Sequence, residues 1–329
     1  MKIVVDATGG DHYPTVPVSG SLLAVDENPD LQIILAGPKE LIQNELANQS
    51  TVDENDRISI LDAPEIIGMN ESPAHAVKAK RRSSINMGIN LIASGKADAF
   101  VSAGNTGALL ASSTFFLGKL EGITRPTIAA YFPTLKGRRL VIDAGATLDV
   151  KPETYLQFAH MGSVYLEEIM HVSNPKIGLL NVGEEPEKGT SVQKEAHKKL
   201  SELNTFVGNI EGKDIMTGKA DLYLCDGFVG NVLLKFGESF PPVLSELLKR
   251  TMHSMKLDNE QQMLVKNVIT QTLVDFDPEA VGGVPFLGVK GISMVGHGSS
   301  SAEAIKNMVN KAAECITNDI NGKIVASLK

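Results

Sequence analysis

Six stretches of this chain combine glycine with small polar residues in a way that suits an anion. They are Asp6-Ala7-Thr8-Gly9-Gly10-Asp11, Ser102-Ala103-Gly104-Asn105-Thr106-Gly107, Asp143-Ala144-Gly145-Ala146-Thr147, Asn181-Val182-Gly183 running on to Lys188-Gly189-Thr190, Asp226-Gly227-Phe228-Val229-Gly230-Asn231, and Gly296-His297-Gly298-Ser299-Ser300-Ser301. Each follows a short apolar run and precedes helix-forming residues. A helix start presents unbonded N–H groups and the positive end of the helix dipole, and the two together bind anions. Glycine lets the backbone approach a phosphate with no Cβ in the way. One such loop is ordinary, and its bland explanation is a helix cap, with Thr106 as the cap in the second stretch. Six of one chemistry point to phosphate or a phosphorylated substrate. None has the spacing G-x-x-x-x-G-K-[ST] or G-x-G-x-x-G, so ATP and NAD lack their usual signatures.

These loops need strands to carry them. Residues 2–6, Leu31–Ala36, Arg57–Leu61, Ala97–Val101, Thr127–Phe132, Leu140–Asp143, Lys176–Asn181 and Asp221–Cys225 read as strands, with helical runs between them, one from Pro152 to about Met170. Alternation of this kind predicts parallel βαβ units in an α/β protein, a single domain over 1–329, with helices on both faces of the sheet. In a parallel sheet the strand ends share one edge and ligands bind there. The expectation is therefore that the six loops meet in one crevice. Residues 238–276 break the alternation: one helical run starts at Pro241-Pro242 and ends near Met255, another spans Asn259 to Phe276. This predicts an inserted helical hairpin, packed on its own core, at a dimer interface, or against a membrane surface.

Composition narrows the class. Of 329 residues, 43% are hydrophobic, which suits a folded core. Lys+Arg 31 against Asp+Glu 39 gives a net charge of −8, which argues against broad nucleic-acid binding. No apolar run approaches the length of a membrane span, and the amino terminus reads as a strand, not a signal peptide. Cys225 and Cys315 are the only cysteines, too few for a disulfide framework, and no His/Cys cluster has metal-ligand spacing. A reduced, cytoplasmic setting without a metal fits. Against the overall acidity, Lys78, Lys80, Arg81 and Arg82 crowd five positions. Read as helix, Lys78, Arg81 and Arg82 share a face. That face is either simply solvated or a dock for an acidic partner.

The motifs Asp6–Asp11, Ser102–Ala108, Leu179-Leu180-Asn181-Val182-Gly183-Glu184-Glu185, Asp226–Asn231 and His297-Gly298-Ser299-Ser300 resemble, in order and over nearly the whole chain, those of the PlsX family of bacterial phosphate acyltransferases. The resemblance implies a fold like that of isocitrate and isopropylmalate dehydrogenases and of phosphotransacetylase. It implies transfer of an acyl group from acyl-[acyl carrier protein] to inorganic phosphate, without a cofactor. The acyl phosphate would feed a membrane glycerol-3-phosphate acyltransferase. It also implies a homodimer working at the cytoplasmic membrane surface. Two positions depart from the family: Thr8 stands where Met is usual, expected to alter packing alone, and Thr147 where Asn is usual.

On this reading Lys188 neutralises phosphate charge, Asn231 bonds phosphate or the oxyanion, and His297 donates to the leaving sulfur or to phosphate. Their bland alternatives are a loop lysine, a helix cap and a loop tie. Phosphate and substrate contacts are expected from Gly9, Gly10, Asp11, Gly104, Asn105, Thr106, Gly107, Asp143, Gly183, Asp226, Gly227, Ser299 and Ser300. Lys78, Lys80, Arg81 and Arg82 are expected to dock the carrier protein. Cys225 offers a covalent route, but direct attack by phosphate is favoured. The rivals are a phosphotransacetylase-type enzyme using acyl-CoA and a non-catalytic carrier-protein scaffold.

Overall fold

Ile3, Val4, Val5, Phe100 and Val101 are all buried, as expected of strands covered on both sides. The computed structural model describes residues 1–49, 56–277 and 279–329. The chain begins with β1 (Lys2–Asp6), α1 (Thr15–Glu27), β2 (Gln32–Gly37), α2 (Lys39–Asn48), β3 (Ile58–Asp62), α3 (Pro73–Ala79), α4 (Ser84–Ala93), β4 (Ala99–Ser102) and α5 (Thr106–Ser112). It continues through β5 (Thr127–Thr134), β6 (Gly137–Ile142), α6 (Pro152–Glu168), β7 (Ile177–Leu180), α7 (Ser191–Leu200), β8 (Phe206–Ile210), α8 (Gly212–Ile215) and β9 (Leu222–Leu224). It ends with α9 (Gly227–Ser254), α10 (Asn259–Thr272), β10 (Val284–Leu287), β11 (Ile292–Val295), α11 (Ala302–Thr317) and α12 (Ile320–Ser327).

These elements form two compact units. The first holds Met1–Ala129, Gln157–Asn174 and Pro278–Lys329; the second holds Ala130–Leu156 and Pro175–Asp277. In the first, the strand order is β3-β2-β1-β4-β11-β10-β5. β1 to β4 and β11 run parallel, while β10 is antiparallel to β11 and to the start of β5. Strand alternation sends Ile3, Val5 and Val101 to a core shared with Val18, Val25, Ile305 and Met308 of α1 and α11. Val4 and Phe100 face the other way, under α4. Gly88 lets that helix settle there, since a Cβ would lie 3.0 Å from Val4 and overlap the Phe100 ring. Helices therefore cover both faces, as the apolar strands require.

In the second unit the order is β6-β9-β7-β8, all parallel. Val141, Leu180, Ile210, Ile215 and Tyr223 build its core. β8 is irregular: Ile177 pairs with Phe206 but Leu179 with Asn209, so β8 carries one extra residue. Gly208 sits in the bulge at φ 96°. The mostly parallel α/β architecture agrees with the sequence expectation. The hairpin differs in its start. α9 runs unbroken for 28 residues from Gly227 through Pro241 and Pro242, which lie inside it rather than opening it. α10 buries no residue.

Candidate functional site

In the first unit the loops after β1, β4 and β11 come together. Asp6 organises two of them. Its Oδ1 accepts from the Thr8 N–H at 3.0 Å and the Thr8 hydroxyl at 2.9 Å. Its Oδ2 accepts from the Ser102 hydroxyl at 2.7 Å, and that hydroxyl oxygen accepts the Gly104 N–H at 2.9 Å. Gly9 packs into this knot: a Cβ there would lie 2.9 Å from the Gly104 nitrogen. The Asp11 N–H donates to the Gly298 carbonyl at 2.7 Å, which brings in the third loop. Thr8 does more than pack, because its hydroxyl also lies 2.9 Å from Ser84 Oγ. Asp6, buried and central, was not among the expected residues. A strand-end aspartate beside Ser102 was the available signal, but the two are 96 positions apart.

Asn105, and not Thr106, caps α5, its Oδ1 accepting the Ala108 N–H at 3.0 Å. Its Nδ2 faces the carbonyls of Gly68, Met69 and Glu71, each at 3.1 Å. The amide is thus committed to holding the 68–71 turn beside the glycine loop. His297 is exposed; its Nδ1 lies 2.8 Å from Ser299 Oγ and faces the Ser299 N–H at 3.4 Å. A backbone N–H can only donate, so Nδ1 accepts and the neutral ring carries its proton on Nε2. Ser300 is buried, and its N–H donates to the His297 carbonyl at 3.0 Å.

In the second unit Asp143 plays the part that Asp6 plays in the first. It is fully buried, and its carboxylate accepts from the N–H groups of Gly145 at 3.2 Å, Ala146 at 3.0 Å and Thr147 at 2.6 Å. The Thr147 carbonyl accepts the Gly227 N–H at 2.8 Å. A Cβ on Gly227 would come within 2.9 Å of Asp143 Oδ2, and one on Gly230 would collide with the Asp143 carbonyl oxygen. The two glycines let the first turn of α9 lie on the Asp143 loop. Asp226 caps that helix by accepting the Val229 N–H at 2.8 Å. Both acidic contacts expected in this unit, Asp143 and Asp226, therefore hold backbone N–H groups. Asn231 is no cap: it sits in the second turn of α9, exposed, and its side chain lies alongside Gly145.

Lys188 is exposed and its ammonium enters no ion pair among the described residues. Its backbone is held at both ends. The N–H donates to the Glu185 carbonyl at 3.0 Å, and the carbonyl accepts Asn181 Nδ2 at 3.0 Å. Gly183 gives room for the side chain, since a Cβ there would lie 2.9 Å from Lys188 Cγ. Two residues on, Thr190 and Gln193 form a capping box at the start of α7. Gln193 also bonds the hydroxyl of Tyr155, a buried residue of α6 that the sequence did not single out. Burial, and then the Asp226 carboxylate, push that phenol well above its ordinary value. Cys225 is buried, its thiol donating to the Asp143 carbonyl at 3.5 Å. Burial, then Asp143 and Asp226, raise it far above the usual thiol range, which disfavours the thiolate a covalent route needs.

The basic run is not one helix. α3 ends at Ala79, its last carbonyls met by Asn86 Nδ2, which donates to Val77 and Lys80 at 2.8 Å each. The face expected from Lys78, Arg81 and Arg82 at helical spacing does not form. Lys80 is a clamp, bonded to Glu71 at 2.5 Å and to the Ile66 carbonyl at 2.6 Å. Lys78, Arg81 and Arg82 remain exposed.

Residues 1–323 match the family model described as fatty acid synthesis protein. A phosphate acyltransferase of Salinibacter ruber is 46% identical over 322 residues, covering 97% of this chain and 95% of that protein. The phosphate acyltransferase of Halothermothrix orenii is 43% identical over 327 residues, covering 98% and 97%. Among solved structures, a phosphotransacetylase from Streptococcus pyogenes shares the fold with a TM-score of 0.64 at 19% identity, covering 96% of this chain and 94% of that one.

Proposed function

Since this chain belongs to the fatty acid synthesis protein family, among whose members are phosphate acyltransferases, we propose that it moves a fatty acyl group from acyl-[acyl carrier protein] to inorganic phosphate for phospholipid synthesis. The observation that carries the reading is the match over residues 1–323. The chemistry asks little of acid or base. Near neutral pH a substantial share of inorganic phosphate is already the dianion, a fair nucleophile without help from a base. One of its oxygens attacks the thioester carbonyl carbon; the C–O bond forms, the C–S bond breaks, and the thiolate leaves and takes up a proton. The protein must position phosphate and stabilise the transient oxyanion.

In the second unit, Lys188 has a free ammonium on a fixed backbone, which suits it to meet phosphate charge. Asn231 supplies an amide to phosphate or the oxyanion. In the first unit, His297 presents Nε2–H to the leaving sulfur or a phosphate oxygen. The N–H groups of Gly10, Thr106, Gly107 and Gly183 offer further donors, whereas those of Gly9, Gly104, Gly227, Ser299 and Ser300 bond acceptors of the protein itself. Asp143, Asp226 and Asn105 hold loops, and a carboxylate against phosphate would repel it. Lys78, Arg81 and Arg82 dock the acidic carrier protein, without Lys80. Working in the cytoplasm as a homodimer in peripheral contact with the membrane, the protein would hand acyl phosphate to a membrane glycerol-3-phosphate acyltransferase.

The test incubates purified protein with acyl-[acyl carrier protein], with and without phosphate, and traps acyl phosphate with hydroxylamine. Acyl phosphate formed only with phosphate supports the reading. Turnover with acyl-CoA alone would favour the phosphotransacetylase-type alternative, and no thioester loss in either arm would leave a scaffold.

A further inference from the structure

β8 shows a device for holding Lys188. In a regular strand Phe206 and Asn209 would face opposite sides of the sheet, because they are three positions apart. The bulge at Gly208 turns Asn209 over. Both residues then meet the same side chain of α7. The His197 ring packs edge-on against Phe206 at 5.1 Å between centroids, and its Nδ1 lies 2.9 Å from Asn209 Oδ1. Asn209 is 3% exposed. Its Nδ2 donates to the Glu185 carbonyl at 2.8 Å, the same carbonyl that accepts the Lys188 N–H at 3.0 Å. That donor fixes the amide's orientation, so Oδ1 must accept a proton carried on His197 Nδ1. Gly208 has open space around it, with no heavy atom near a would-be Cβ; glycine is needed there for its positive φ alone.

We propose that Asn209, re-aimed by the bulge and oriented by His197, is a positioning residue for Lys188. It acts through the Glu185 carbonyl and holds the lysine where phosphate charge must be met. This inference rests on the phosphate-binding role given to Lys188 above.

The test varies phosphate with Lys188→Ala, Asn209→Leu and the double variant, with thermal melting as the control for folding. Lys188→Ala should lower kcat/KM for phosphate about 10²-fold, the usual effect of losing one such donor. Asn209→Leu should lower it about tenfold, mostly through KM, while KM for the acyl donor stays near normal. The double variant should be no worse than Lys188→Ala alone, because residues acting through one another are not additive. If Asn209→Leu does not fold, His197→Phe keeps the ring contact, removes the bond to Asn209, and should show the same pattern. Losses that multiply in the double variant would make Asn209 merely structural and overturn this inference alone. An inert Lys188→Ala would sink both the inference and the role given to Lys188.

Discussion

A carboxylate that accepts three backbone N–H groups holds a loop far more firmly than it holds a ligand, and Asp143 is placed for the first task. Asp143→Asn removes one acceptor and should lower stability by about 1–3 kcal/mol, read in denaturant melts. The neighbouring glycine is as sensitive. In Gly230→Ala the new methyl meets the Asp143 carbonyl oxygen, and overpacking of this kind costs about 1–3 kcal/mol. Asn231→Ala, one residue on, removes only an exposed amide. It should keep its melting temperature while turnover falls about 10²-fold; near-normal rates would remove Asn231 from the reaction. Glycine and asparagine in these loops were legible because their chemistry is local. Asp6 and Asn209 were not, since their partners lie far along the chain or depend on a bulge in strand register.

Among the elements, α3 and the turn after it carry the proposed carrier-protein dock. Reversing Lys78 and Arg82 to Glu should raise KM for acyl-[acyl carrier protein] several-fold and leave KM for phosphate almost alone. The effect should fade with salt, because the Debye length falls from about 10 Å at 0.1 M to about 3 Å at 1 M. Affinity indifferent to both charge reversal and salt would return these cations to a solvated surface. The sequence suggested one basic helix because helical spacing fits Lys78, Arg81 and Arg82. It did not show that Asn86 would end the helix and Glu71 would claim Lys80. β8, β10 and β11 were also missed. β8 is interrupted by Gly208 and Asn209, β10 carries Pro285, and β10 and β11 lie close to glycines, so no uninterrupted apolar run marked them. The parallel strands that feed the other five loops were legible, being continuous apolar runs; β11, which feeds the loop at Gly296–Ser301, was not.

At the scale of the whole molecule, α9 exposes Val232, Phe236, Phe240, Val243 and Leu247 at helical spacing, and α10 exposes Met263, Leu264 and Val268. Apolar stripes of this kind mark contact surfaces. On the homodimer proposal, Phe236→Glu with Leu247→Glu should shift the mass measured by light scattering from dimer to monomer. An unchanged mass would assign the stripe to another surface.

The two cysteines lie one in each unit and both are buried, Cys315 in the first and Cys225 in the second. Burial pushes Cys315 up to about 12, and Cys225 also lies well above its ordinary value. Neither thiol reacts until its surroundings open. Both groups have folded values raised above their unfolded ones, so the stability they lend is complete below pH ~9 and drains away as the pH climbs toward the folded values. Below that range, a maleimide added to the native protein becomes a stopwatch for opening. Mass spectrometry of the labelled peptides would time the opening around one cysteine in each unit, with no engineered probe, in a protein that has no tryptophan to report by fluorescence.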